Sequence, residues 1–344
     1  MSARHSNNSG TEGQFQIAVG TKPFPEDGQA QAAFVRWAQR GHILGQVAAV
    51  VDAPAGSKLA DILENARLRS GYDKRMLVYE ANRITRALAA SEIEPILLKG
   101  SAYVAEHLLA GIGRRVSDID ILVDEEDISG TETLLQEAGW TPEETTANPY
   151  DQRYYRQWMH ELPPMRHTTR RTLIDVHHRL LPRTARIKPD HRAMMAESAL
   201  SSEAGLRVFS PTDRFIHSAI HIFGDGAFET PARSFIELYY LYADLSEPEK
   251  GALADRAVQV HAGKPVAGAL WAIKRNFGVP TVVTAAEGRR LPAVSRLLKW
   301  AVAAVTEREQ APLANLFLYV RSHYMRMPLP LLVGHLWKKV LRRV

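Results

Sequence analysis

The sequence predicts an α+β fold: helices first, a mixed α/β unit over about residues 95–180, then helices to the end. Three observations carry this. Apolar residues recur at helical spacing between about 29 and 88. Short apolar runs bounded by Gly or Pro, PILLK and VSDIDILV, read as buried strands in the middle of the chain. Beyond about residue 189 nearly every segment again has a helical period. The expected division is a disordered tail over 1–27, N-terminal helices packed on the core over 28–92, an α/β domain over 93–188 and an all-helical region over 189–344.

Residues 1–27 are rich in Ser, Asn, Gly and Gln and show no apolar period, which predicts a loose tail. Residues 29–51 read as a helix with Phe34, Trp37, Ala38 and Leu44 among its apolar positions. In SKLADILENARL, Ser57 offers an N-cap and Leu59, Ile62, Leu63 and Ala66 share a face. A third helix starts at Asp73 and aligns Leu77, Ala81, Ile84 and Leu88. Pro95 changes the pattern: PILLK is a strand closed by Gly100-Ser101, and SAYVAEHLLAG is a helix stopped by Gly111. After a GIGRR turn comes the strand VSDIDILV, then a helix ending near Gly139. Residues 153–178 alternate in strand fashion through RYYRQWM and RTLIDVHH. Ser210 or Thr212 caps a helix through Phe215, Ile216, Ala219 and Ile220. GDGAFETP is a turn, and ARSFIELYYLYADL is strongly apolar on one face.

A chain of 344 residues is long enough for a substantial core and about two domains. Lys plus Arg exceed Asp plus Glu by 43 − 38 = 5. This mild basic excess suits a polyanion such as RNA, a nucleotide or an acidic membrane surface, and equally serves solubility. The absence of cysteine excludes disulfides, thiol catalysis and cysteine-bound zinc. The start, MSARHSNNSGTEG, lacks the apolar region of a secretory signal, and no apolar run approaches the roughly 20 residues of a membrane span. A soluble, cytoplasmic protein is the expectation.

The chemistry concentrates in three places. Side chains alternate along a strand, so Asp118 and Asp120 point the same way and Ile119 and Ile121 the other. Two carboxylates one pleat apart repel, and a hard divalent cation, Mg²⁺ first, relieves them. Asp175 in TLIDVHHRL sits in a second strand and could complete a two-metal or metal-plus-base site. Gly100-Ser101 stands at a strand-to-helix junction, where backbone N–H groups and a hydroxyl suit an anion. Arg114 and Arg115 precede the aspartate strand and could meet phosphate charge, or simply be solvated turn residues.

These motifs together, a hydrophobic residue, Gly-Ser, a helix, Asp-h-Asp-h and a later h-Asp-h, resemble the nucleotidyltransferase superfamily with the polymerase-β-like fold. LLKGSAY, RRVSDIDILV and LIDVHHRL more closely resemble the bacterial uncharacterised nucleotidyltransferases, with the likeness covering roughly 60–344. The resemblance implies that Gly100 and Ser101 hold the nucleotide β/γ-phosphates, with Lys99, Arg114, Arg115 and His177 also on the nucleotide side. It implies that Asp118, Asp120 and Asp175 are both catalytic and metal-binding. Two Mg²⁺ ions are expected, with Mn²⁺ as a substitute, and an NTP is the substrate. In-line attack on its α-phosphate by a hydroxyl or phosphate acceptor, a small molecule, peptide or glycan precursor, expels pyrophosphate. A second reading resembles toxin nucleotidyltransferases acting on the tRNA 3′ end. A third is a nucleotide-binding protein of the same fold without transfer. It rests on residues 102–117 between Ser101 and Asp118, a stretch longer than the superfamily's usual gap.

Other candidates compete with plain structural roles. His177 shares the side of Asp175, whereas His178 faces away. His217 and His221 have the i,i+4 spacing of zinc ligands but lack the glutamate of H-E-x-x-H, so a structural role is expected. Arg233 and Glu237 are placed to pair at i,i+4. VGHLWKKVLRRV, at 333–344, reads as a basic amphipathic helix docked on the protein, with weak peripheral contact to an anionic membrane or RNA as the alternative.

Overall fold

The computed structural model describes residues 13–328 apart from 147, 202, 204, 227, 282–290 and 308–309. The basic segment 333–344 lies outside the described residues. The N-terminal part comprises α1 (Gln14–Ala18), α2 (Gly28–Arg40), α3 (Leu44–Ala48) and α4 (Lys58–Leu88). The middle carries β1 (Ile96–Leu97), α5 (Lys99–Ala105), β2 (Asp118–Leu122), α6 (Ile128–Glu137), β3 (Trp140–Pro142), α7 (Pro149–Trp158), β4 (Met165–His167) and β5 (Leu173–His177). Then come α8 (His191–Ala196), β6 (Ala199–Leu200), β7 (Arg207–Val208) and α9 (Pro211–Ala219), which continues as a π-turn over Ile220–Gly224. The described chain closes with α10 (Pro231–Ala243), α11 (Glu247–Gln259), α12 (Gly263–Phe277), α13 (Arg296–Glu307) and α14 (Pro312–Arg326).

The strands form one mixed sheet in the order β3-β4-β5-β2-β1-β7-β6. The expected α+β class is the one observed. β2 lies at its centre, antiparallel to β1 and parallel to β5. Ile119 and Ile121 of β2 and Ile174 and Val176 of β5 are buried on one face of the sheet. Alternation then sends Asp118, Asp120, Asp175 and His177 to the other. No described helix is long and apolar enough to cross a membrane.

Several expectations are corrected. Part of the expected loose tail is ordered, because α1 lies within it. Phe15 in α1 is buried and packs edge-on against Trp37 of α2 and Phe277 of α12, with ring centroids 5.5 and 5.4 Å away. One aromatic anchor in a polar stretch leaves no period to read. The helix drawn over 29–51 breaks at Gly41-His42, with His42 at φ 55°. The two helices drawn from Ser57 and Asp73 are one helix, α4, running through Gly71. Ser57 does cap it, accepting from the Ala60 N–H at 3.2 Å. RYYRQWM is helical, not a strand: Asn148 accepts from the Asp151 N–H at 3.0 Å, and Pro149 occupies the first turn. The helix after Gly100 stops at Ala105, and Leu109–Gly111 form a separate 3₁₀ turn. The region beyond 189 contributes β6 and β7, which extend the sheet from β1. Ser210, rather than Thr212, caps α9 by accepting from the Asp213 N–H at 3.3 Å.

Candidate active site

The register of β2 and β5 builds the carboxylate face. Asp120 lies directly beside Asp175, Asp118 beside Leu173, and Leu122 beside His177. Neighbours paired in this way project to the same side. One carboxylate oxygen from each of Asp118, Asp120 and Asp175 falls within 4.8 Å of the others, a group that could hold a metal ion. Asp120 is buried, whereas Asp118 and Asp175 are half-buried. The cluster therefore has a dry back and an open front.

The back is positively charged. Lys99 Nζ donates to Asp120 Oδ1 at 2.7 Å, and His177 Nε2 lies 3.0 Å from the same oxygen. Oδ2 takes neither bond. Burial alone would raise the Asp120 pKa, but the Lys99 charge and the His177 hydrogen bond hold it well below the usual carboxylate range. Lys99 adopts a left-handed φ of 48° where the strand turns into α5, and so joins the Gly100 turn to the carboxylates.

Asp175 goes the other way. Burial, the Asp120 charge and the Glu161 charge push it up from 3.8 to about 7. A third negative charge is unwelcome there without a cation, so the donor set suits a hard divalent ion. Below about pH 7 that ion must displace the proton on Asp175. Mg²⁺ affinity is therefore expected to rise with pH up to about 7 and level off above it. Calorimetric titration across that range checks this, and a flat affinity contradicts it. Between 3.8 and about 7 the folded chain keeps this proton and the unfolded chain does not, so the cation-free fold loses stability as pH rises across that window.

The turn GIGRR is fastened by close backbone approaches. Gly113, at φ 69°, faces Gly45 of α3 so tightly that an added Cβ would come 2.1 Å from the Gly45 carbonyl oxygen. Arg114 is thereby turned inward, where its Nε donates to Glu237 Oε1 of α10 at 2.8 Å. Its guanidinium covers Gly100: a Cβ there would lie 1.9 Å from Arg114 Cζ. Gly100→Ala is accordingly expected to cost about 1–3 kcal/mol by overpacking. Chemical denaturation reads this, and an unchanged midpoint would show that Arg114 moves freely.

The other expected site residues fall in different places. Ser101 is buried and its hydroxyl donates to the Asp118 carbonyl at 3.2 Å, tying α5 to the aspartate strand. Arg115 turns away from Arg114 and pairs with Asp73 of α4, in a cleft lined also by Gln39, His42 and Asn65. His177 meets Asp120, while His178 is pushed down to about 4, chiefly by burial. His217 and His221 are both held neutral by burial and by the Lys99 charge, and neither belongs to a ligand cluster among the described residues. Arg233 pairs with Glu237 at 3.7 Å as the spacing suggests. Sequence reading missed His160 and Glu161, whose side chains converge on His177. They follow the stretch misread as a strand, and no period marks them.

A mixed sheet that sets three carboxylates on adjacent parallel strands, beside a glycine turn into a helix, is the arrangement expected of a nucleotidyltransferase. A family model described as "Uncharacterised nucleotidyltransferase" matches residues 27–278, and the chain belongs to that family. It is a transferase of phosphorus-containing groups. The match bears out the resemblance drawn from LLKGSAY, RRVSDIDILV and LIDVHHRL. No curated relative and no solved structure matches the chain.

Proposed function

We propose that the protein is a Mg²⁺-dependent nucleotidyltransferase that moves a nucleoside monophosphate from an NTP to a hydroxyl or phosphate acceptor and releases pyrophosphate. The observation that carries this is the convergence of Asp118, Asp120 and Asp175 within 4.8 Å on one sheet face, with Asp175 raised to about 7. Asp118 and Asp120 would hold the metal, with Asp175 sharing it. Two ions are proposed. Magnesium, when bound, supplies neutralisation of the phosphate charge and alignment of the attacking and leaving oxygens.

The chain's own groups do the rest. Lys99 and His177 fix the Asp120 carboxylate through Oδ1. Asp175, beside Asp120 in the register of the two parallel strands, would accept the proton of an acceptor hydroxyl. The Lys99-Gly100 turn, backed by Arg114 on its Glu237 anchor, offers backbone and charge to the nucleotide phosphates. Ser101 supports that turn through its bond to Asp118 rather than as a free donor. The long stretch between Ser101 and Asp118 is taken up by the 3₁₀ turn and the glycine-locked loop, and the carboxylates still converge. Its length therefore lends no support to a binding protein without transfer.

The acceptor proposed is a small molecule, peptide or glycan precursor. The test incubates the protein with Mg²⁺ and each α-labelled NTP, alone and with tRNA, peptide or glycan acceptors. Label on a small or peptide acceptor supports the proposal, label on tRNA redirects it to the toxin-like reading, and tight NTP binding without transfer overturns it.

A further inference from the structure

We propose that His160, Glu161 and His177 form a second metal site, separate from the aspartate triad, that takes a transition ion of the zinc class through two imidazole nitrogens and one carboxylate oxygen. Their ligand atoms lie within 4.8 Å of one another. Glu161 Oε2 is 3.4 Å from His177 Nδ1 and 3.8 Å from His160 Nε2. Both separations exceed the usual 2.7–3.2 Å of an N–H···O hydrogen bond. They approach the roughly 3.4 Å between neighbouring ligands of a tetrahedral ion bound at about 2.0–2.1 Å.

Three further features point to a ligand. The Glu161 carboxylate is 16% exposed and stands near Asp175, yet it accepts no hydrogen bond from a described residue. His160 Nε2, the ring nitrogen that faces Glu161, likewise makes no hydrogen bond to a described residue. His177 Nε2 lies 3.0 Å from Asp120 Oδ1. A proton on Nε2 donated to that oxygen leaves the Nδ1 lone pair aimed at Glu161, the carboxylate–histidine–metal relation that orients metal-bound imidazoles.

The site is preset by the backbone. Glu161 and His177 face each other across an antiparallel bridge. The His178 N–H donates to the His160 carbonyl at 2.8 Å, and the Leu162 N–H to the Val176 carbonyl at 2.8 Å. The two rings lie 5.2 Å apart, tilted by 38°. Nitrogen ligands select an ion softer than Mg²⁺, so the two sites differ in preference. His177 links them: an ion on Nδ1 fixes the ring whose other edge holds Asp120.

The test strips the full chain with chelator and titrates Co²⁺ against a large excess of Mg²⁺, which occupies the triad. Co²⁺ in a low-coordinate nitrogen site absorbs in the visible. One equivalent is expected to bind with that absorption in the wild type and in Asp118→Asn. His160→Ala and Glu161→Gln are each expected to weaken binding at least about tenfold. Their melting curves without metal show whether each variant is folded, and His160→Gln serves if His160→Ala is not. No visible band in the wild type overturns the proposal and leaves His177 as a simple bridge between two carboxylates. Loss in Asp118→Asn with retention in His160→Ala also overturns it, because the ion would then sit in the triad.

Discussion

Asp118→Asn and Asp120→Asn are each expected to lower nucleotidyl transfer by about a thousandfold or more, the scale of losing one member of a group that acts as a unit. Both substitutions keep the side-chain shape and remove one negative charge from the cluster. Their side effects differ. Asp118 is half-buried, so its amide variant should fold with nearly wild-type stability. Asp120 is buried and meets both Lys99 and His177. Its variant takes from Lys99 the charge it bonds to and leaves only the more remote Glu161 and Asp175, and breaking such a buried pair typically costs about 3–5 kcal/mol. Activity and melting measured together separate the two effects. Full transfer by a well-folded Asp118→Asn enzyme would falsify the metal assignment.

Glu237→Ala is expected to cost about 3–5 kcal/mol of stability, as much as Asp120→Asn, because it leaves the mostly buried Arg114 without its partner. Burial alone would lower the Arg114 pKa, but the Glu237 charge and hydrogen bond raise it. The two side chains are 13% and 10% exposed, so solvent screens them little. The pair also joins two distant parts of the chain: Arg114 caps Gly100 at the head of α5, and Glu237 belongs to α10. Loss of the carboxylate should therefore loosen the Lys99-Gly100 turn as well as the fold. Denaturant titration, with nucleotide affinity measured below the transition, reads both effects. A change under about 1 kcal/mol would place Arg114 among ordinary surface ion pairs.

Much of the site was legible because its chemistry demands fixed spacing. Asp-Ile-Asp puts two carboxylates on one strand face, and Asp-Val-His does the same for Asp175 and His177. What sequence could not choose was direction within a turn. Arg114 and Arg115 read alike, yet only Arg114 turns inward, because Gly113 can adopt a positive φ against Gly45. Ser101 looked like a phosphate donor, but burial directs its hydroxyl to a backbone carbonyl. His160 and Glu161 were invisible because a single backbone bridge, not a patterned strand, brings them to His177.

The fold shows the same division. Capped helices such as those starting after Ser57 and Ser210 were readable, because the cap is a local side-chain-to-backbone bond. RYYRQWM misled because alternation over seven residues carries less weight than the Asn148-Pro149 start before it. β6 and β7 are two residues each, too short for any period. Their place in the sheet comes from pairing β7 with β1.

The most direct measurement of the central claim compares one NTP labelled at the α-phosphate with the same NTP labelled at the γ-phosphate, in the presence of Mg²⁺ and an acceptor that takes label. Nucleotidyl transfer predicts that the α-label appears on the acceptor and the γ-label leaves in pyrophosphate. Appearance of the γ-label on the acceptor, with the α-label left in the nucleoside diphosphate, would contradict the account.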